Sequence, residues 1–417
     1  MQLIQIEKTL DVAIVERQLA ELWKQTSDDR ETDDEAAVLR ARVANLLVFV
    51  STDELLEEVH QMLPELTAIH PSRVLMMLGD RGAADLDIEM GVGSLLQTDK
   101  RGGRKRLCCE EVTLKAQGNF VVELPSATLP LLVSDLTTFL WWRDAVQVTD
   151  KVFDTLLRAT DRLVIDSAEF ENPRANLGEI NKLFAQENQK GQGQVGISDL
   201  NWARLTLWRG LLADFYDVPA YQERLDEIDY VRIDYVAPER QPTTVATQAL
   251  LIAGWLASRL GWSLPSDQTP GEDNETLSFK FSGKARDSGS TKEQGSSVDR
   301  GSSPTVKEGS RDREITLELS RVKHGEHLPG KLIRVELRMN ADKPASFTVT
   351  RSADNLHLLA EAKLGPHVHR GRVLPVRNRS AAQLLSREME ILCNDRIYEE
   401  ALAIATNLLN SSMSPSG

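Results

Sequence analysis

The sequence predicts an α/β fold: an N-terminal domain with a mainly parallel sheet and flanking helices, followed by a C-terminal α+β domain that carries a long disordered insertion. Three observations lead there. Ala44–Val50 (ANLLVFV) is apolar throughout, as a strand covered on both faces must be. A helical pattern of Leu55, Leu56, Val59, Met62, Leu63 and Leu66 follows, then a second apolar run at 74–78, the order of a βαβ unit. Between residues 283 and 313 the composition turns to Gly, Ser, Lys, Arg, Asp and Glu without an aromatic residue, too little apolar surface to offset the entropy of folding.

Taken in order, the chain opens on an amphipathic helix with Leu10, Ile14, Val15, Leu19 and Leu22 on one side, then an acidic solvated stretch at 27–35. Ser51 or Thr52 supplies the N-cap of the helix after the first strand. Strands are expected at 107–114, 138–142 and 163–165, with helices near 129–132 and at 153–159. The α/β domain therefore spans 1–170. Asn172-Pro173 marks a break. The second domain, 174–411, begins with helices at 177–189 and 199–216. Trp202, Leu205 and Trp208 share one face of the latter, as core or as a partner-facing aromatic stripe. A strand at 228–236, a buried helix at 245–260 and a strand at 277–281 precede the insertion. Strands resume at 315–319, 332–339 and 356–362, so the insertion lies within one domain. A helix carrying Leu385, Met389, Leu392, Ile397, Ala401, Ile404 and Leu408 closes the fold before a disordered tail at 412–417.

Bulk properties narrow the function. The 417 residues suit two or three domains at about 150 residues each. A net charge of −14 opposes nucleic acid and anionic membranes as partners. Glu7, Asp11, Glu16 and Glu21 among the first residues do not fit a targeting peptide, and the longest apolar stretch, 249–257, is far short of a membrane span. Three cysteines, Cys108, Cys109 and Cys393, fit a reducing, cytoplasmic compartment rather than a disulfide framework.

Catalytic motifs are missing. Gly91 and Gly93 lack the third glycine of a dinucleotide turn, there is no phosphate-cradling loop, and no Gly-x-Ser-x-Gly elbow occurs. The pairs His324/His327 and His367/His369 have no cysteine nearby, and a zinc site needs three or four convergent ligands, so no metal is expected. No cofactor and no catalytic residue is expected either.

Two basic patches stand against the acidic background. Lys100, Arg101, Arg104, Lys105 and Arg106 precede a strand, and Arg370, Arg372, Arg377 and Arg379 follow the second histidine pair. Each is a candidate contact for an acidic partner or a phosphorylated ligand. Cys108 and Cys109 adjoin the first patch, whose charge would lower a thiol pKa. Neighbouring cysteines are poor disulfide partners, so a redox bridge would use Cys393 or another chain.

Further motifs occur together: His70-Pro71-Ser72-Arg73-Val74, Cys109-Glu110-Glu111-Val112, Pro130-Leu131-Leu132 through Leu140-Trp141-Trp142, and Asp161-Arg162 with Asp166-Ser167. In order and spacing the chain resembles the glucose-6-phosphate dehydrogenase assembly protein family, OpcA. The resemblance implies a non-catalytic protein that binds glucose-6-phosphate dehydrogenase, promotes its active oligomer and activates it in the oxidative pentose phosphate pathway. It also implies redox regulation linked to thioredoxin, with Cys108, Cys109 and Cys393 as candidates. Arg232-Ile233-Asp234-Tyr235 is similar to a dehydrogenase substrate motif but lacks its histidine. The alternative function is a phosphosugar-binding or phosphosugar-acting α/β enzyme.

Overall fold

The computed structural model describes residues 2–5, 12–28, 43–98, 105–191, 194–222, 224–239, 244–265, 270–273, 275–284, 312–323, 325–340, 344–391 and 393–411. Two compact units result, Met1–Arg204 with Asn378–Glu399, and Leu205–Arg377 with Glu400–Gly417.

The first unit contains β1 (Gln2–Gln5), α1 (Val12–Asp28), β2 (Ala44–Val50), α2 (Asp53–Ile69), β3 (Ser72–Asp80), β4 (Leu86–Thr98), β5 (Lys105–Gln117), α3 (Leu124–Thr128), β6 (Thr137–Arg143), α4 (Lys151–Leu157), β7 (Arg162–Ile165), α5 (Pro173–Lys190), β8 (Gly196–Asp199) and α6 (Leu200–Arg204). Its eight strands lie in the order β1-β4-β5-β3-β2-β6-β7-β8. All neighbours from β5 to β8 are parallel, whereas β4 and β1 are antiparallel. Numbered in chain order, the six parallel strands stand 3-2-1-4-5-6, the doubly wound arrangement whose order reverses between β2 and β6. The unit continues beyond residue 170 because β8 pairs with β7 from Arg162↔Gly196 to Ile165↔Asp199.

Both faces of this sheet are covered, as its continuous apolar strands require. Leu46, Val48, Val74, Met76, Phe139 and Trp141 meet Leu56, Val59, Leu63 and Leu66 of α2 on one side. On the other, Phe49 stacks on Trp142 at 4.2 Å and Trp142 meets Phe153 of α4 edge-on. Successive strand side chains point to opposite faces, so Trp141 and Trp142 serve two different cores. Gly79 is required by that packing: a Cβ there would stand 2.8 Å from both the Phe49 ring and Val121.

The second unit contains α7 (Thr206–Asp214), α8 (Pro219–Gln222), β9 (Tyr230–Val236), α9 (Thr247–Leu260), β10 (Gly271–Asp273), β11 (Thr276–Lys284), β12 (Asp312–Val322), β13 (Leu332–Met339), β14 (Ala345–Arg351), β15 (His357–Leu364) and β16 (His367–Pro375). The strand order is β10-β11-β12-β9-β13-β14-β15-β16; β12 and β9 are parallel, and the other neighbours antiparallel. β11 and β12 pair out to Lys284↔Asp312, so the expected insertion leaves and re-enters the sheet at adjacent positions. Residues 285–311 and the tail at 412–417 lie outside the described residues. The small residues of α9, Ala249, Ala253 and Gly254, let a second helix approach closely. A Cβ on Gly254 would lie 2.1 Å from the Ala401 carbonyl oxygen.

Two expectations are corrected. The helix expected at 199–216 is two helices interrupted at Leu205, and Asp199 belongs to β8 instead. The closing helix is also two, α10 (Ala381–Glu388) and α11 (Arg396–Ser411); Asp395 starts the second by accepting the N–H groups of Ile397 and Tyr398, each at 3.0 Å. Gly91 and Gly93, whose spacing lacks the third glycine of a dinucleotide turn, lie within β4.

Candidate functional site

In a doubly wound sheet ligands settle at the carboxyl ends of the strands, beside the point where the order reverses. Here that edge begins with Ser51-Thr52-Asp53 after β2, without glycine. The Thr52 hydroxyl accepts the N–H of Leu55, and Asp53 and Glu54 occupy the first turn of α2. A helix N-terminus favours anions, and these two carboxylates already take up that potential. The residues present do not fit a dinucleotide pyrophosphate.

Ion pairs bridge the strand ends on either side. Arg81, just after β3, lies 5.6 Å from the Phe49 ring centroid and reaches Asp144 at 3.2 Å and Asp150 at 2.6 Å. Arg143, the last residue of β6, donates to Glu169 at 3.1 and 2.9 Å and to Glu58 of α2 at 2.9 Å, with its guanidinium 5.1 Å from the Trp141 ring centroid. The strand ends on either side of the β2–β6 reversal are thus bridged by side chains of the protein itself.

At β7 and β8 the edge becomes a buried polar network. Asp166 forms a fork with Arg204, both contacts at 2.6 Å. Asp199 accepts the Ser167 hydroxyl at 2.6 Å and its N–H at 3.0 Å, the Asn201 N–H at 2.8 Å and the Tyr398 hydroxyl at 3.2 Å. Burial, reinforced by the negative charge of Asp166, pushes the Asp199 carboxyl up to about 6. Burial, then the charge of Asp199, holds the Tyr398 hydroxyl well above its ordinary range. Ser167 is 1% exposed, and its hydroxyl donates to a carboxylate. This geometry fixes a loop; it does not present a nucleophile to a substrate.

The motif residues are mostly structural. Arg73 is 2% exposed and pairs with Glu110 at 2.8 Å and Glu16 at 2.5 Å. The Ser72 hydroxyl donates to the His70 carbonyl, and the Pro71 carbonyl accepts the N–H of Val43. The His70 ring lies 3.8 Å from Glu390. Asp161 accepts the N–H of Thr138, and buried Arg162 donates to Ser198 and to the carbonyl of Cys393.

The aromatic stripe is not a surface feature. Trp202 is buried, donates to Asp395 at 2.7 Å and packs on Tyr398; Trp208 is buried with the Arg351 guanidinium 5.8 Å from its ring centroid. Of the first basic patch, Lys100, Arg101 and Arg104 lie outside the described residues, while Lys105, Arg106 and Cys108 lie on β5. Cys109 is buried and Cys393 is exposed between α10 and α11. Arg372, from the second patch, pairs with Asp214 at 2.5 Å. Among the described residues no group of three or more His, Cys, Asp or Glu could hold a metal ion, and no helix is long and apolar enough to cross a membrane.

The chain is 30% identical over 217 residues to an OxPP cycle protein OpcA of Nostoc punctiforme, covering 52% of this chain and 44% of that one. It is 27% identical over 303 residues to its namesake in Synechococcus elongatus, covering 72% and 59%. The match to the Synechocystis protein is 24% identical and covers 83% and 65%. The chain therefore spans less than two thirds of the length of these relatives. Among solved structures, glucose-6-phosphate 1-dehydrogenase from Mycobacterium avium is similar at a TM-score of 0.49 and 10% identity, covering 88% of this chain and 90% of that one. An oxidoreductase from Sinorhizobium meliloti gives 0.45 and 11%, with 89% and 97% covered. Residues 64–182 match the family model described as the glucose-6-phosphate dehydrogenase subunit N-terminal domain, and residues 195–402 match that of its C-terminal domain. With both domains matched in order, the chain belongs to the glucose-6-phosphate dehydrogenase assembly protein family, OpcA.

Proposed function

We propose that the chain is a non-catalytic binding partner of glucose-6-phosphate dehydrogenase that promotes the enzyme's active oligomer and thereby serves the oxidative pentose phosphate pathway in the cytoplasm. The observation that carries this reading is the match of both domains to models described as subunit domains of that dehydrogenase. The carboxyl edge of the first sheet supports it, since the place for a nucleotide or phosphosugar is bridged by Arg81 and Arg143 and fronted by Asp53 and Glu54. Activation by such a partner cannot exceed its preference for the active form of the enzyme over the inactive one. Of the redox candidates, Cys109 is buried and Cys393 exposed, so a thioredoxin would meet the Cys393 thiol in preference to that of Cys109.

The test mixes purified chain with the dehydrogenase and follows sedimentation and initial rates, under both oxidising and reducing conditions. A shift of the enzyme to a larger species, with a lower apparent KM or higher kcat, is expected. Unchanged sedimentation and kinetics in both conditions would overturn the proposal. Stabilisation of the isolated chain by sugar phosphates in a thermal-shift panel would instead favour a phosphosugar-binding protein.

A further inference from the structure

One face of the second unit's sheet is core and the other is not. Along β14, Ala345, Phe347, Val349 and Arg351 are buried, while Ser346, Thr348 and Thr350 alternate with them as half-buried residues. Phe215, just after α7, packs on Phe347 at 5.0 Å, and Gln248 of α9 accepts the N–H of Leu332, so the inward face is the covered one. The centre of the outward face is built from three register pairs between β9 and β13: Tyr230↔Arg338, Arg232↔Glu336 and Asp234↔Arg334. Arg232, Arg334 and Arg338 are 38%, 38% and 42% exposed, so solvent reaches this ladder. In a chain of net charge −14, its centre carries three arginines and two carboxylates.

We propose that this outward face is an interface with a second copy of the chain, packed face to face about a two-fold axis that runs along the strands between β9 and β13. That operation sets each residue opposite its own register partner in the second copy. Arg232 then faces Glu336, Asp234 faces Arg334, and Arg338 lies over Tyr230, as it already does within one chain at 4.8 Å. A symmetric interface must be complementary to itself, and this ladder is. The net negative charge that repels two copies elsewhere is absent there. Area is sufficient as well: eight strands about 4.8 Å apart, with about seven residues of about 3.3 Å each, span roughly 900 Å², against about 800 Å² per partner in a stable complex. Arg232 and Asp234, from the motif that is similar to a dehydrogenase substrate site, thereby acquire a part in assembly.

The test is sedimentation of the full chain over a range of concentrations, alone and as variants. Wild type is expected to dimerise. Arg232→Glu and Glu336→Arg each set like charges opposite one another and weaken the dimer on the order of a hundredfold. An equimolar mixture of the two regains it, because in the heterodimer every such contact again joins opposite charges. A folding defect would not be repaired by mixing. Thr348→Trp wedges the sheets apart without altering charge, and is expected to give a monomer with an unchanged melting curve. A monomeric wild type, variants that dimerise normally, or a mixture that stays monomeric would each overturn the proposal. If wild type is monomeric alone and the variants lose retention on immobilised glucose-6-phosphate dehydrogenase, the enzyme occupies this face instead.

Discussion

Tyr398 donates its hydroxyl to Asp199 at 3.2 Å, tying the start of α11 to the carboxyl end of β8 across 199 residues of chain. The acceptor is a carboxyl that burial, with Asp166 as a secondary cause, has pushed up to about 6. In the unfolded chain the same group titrates near 4, so between these values the folded state holds a proton that the unfolded state has released. The stability from this group is complete below pH 4 and is lost as pH rises through about 6. Wild type should therefore lose on the order of 3 kcal/mol relative to Asp199→Asn over that window. Urea unfolding of both proteins at half-unit pH steps measures the difference; parallel curves would show that Asp199 titrates normally.

Arg73 and Glu110, each 2% exposed at the side chain, form a pair that must be kept or removed as a unit. Arg73→Met removes the guanidinium that pairs with the buried Glu110 carboxylate and with Glu16, and should cost about 3–5 kcal/mol. Arg81→Met breaks contacts of a 40% exposed side chain and should cost less than about 1 kcal/mol. Chemical denaturation of the two variants side by side tests the contrast. Equal losses would mean that burial does not set the worth of these pairs.

Gly254→Ala would normally favour a helix by about 1 kcal/mol. Here the added methyl meets the Ala401 carbonyl oxygen, a backbone atom with little freedom to move. Crowding should win, with a net loss of about 2 kcal/mol or more and a lower melting temperature. A stabilised variant would show that α9 and α11 can separate at little cost.

The elements that could be read from the sequence were those whose pattern was strong and local. The apolar runs of β2, β3 and β6, and the spacing of Leu56, Val59, Leu63 and Leu66 in α2, name their structures directly. β4 was hidden by Gly91 and Gly93, which resemble a turn, and β8 (GISD) by its small and polar residues. The breaks at Leu205 and before Asp395 fall where apolar spacing continues without interruption. The network at the carboxyl edge is still less local. Asp166 and Ser167 stood out only through family resemblance, whereas Asp199, Arg204 and Tyr398 did not stand out at all. Ser167 and Asp199 are 32 residues apart in sequence, and Asp199 and Tyr398 are 199 apart. Only the pairing of β7 with β8 and the return of the chain through α11 bring them within hydrogen-bonding reach.

Cys109 and Cys393 should differ sharply in reactivity. Cys109 is 4% exposed in β5, registered against Ser72 of β3, so reagent reaches its sulfur only when the strand pair opens. Cys393 is exposed between two helices, and its carbonyl is held by Arg162 at 2.8 Å, which keeps the segment in place and its thiol outward. In a Cys108→Ser background an aromatic disulfide reagent should therefore modify Cys393 quickly and Cys109 only in denaturant. Adding Cys393→Ser should abolish the fast phase, leaving a slow one that tracks unfolding. A fast phase that survives Cys393→Ser would place the reactive thiol at Cys109 and would remove the physical basis for assigning redox control to the α10–α11 connection.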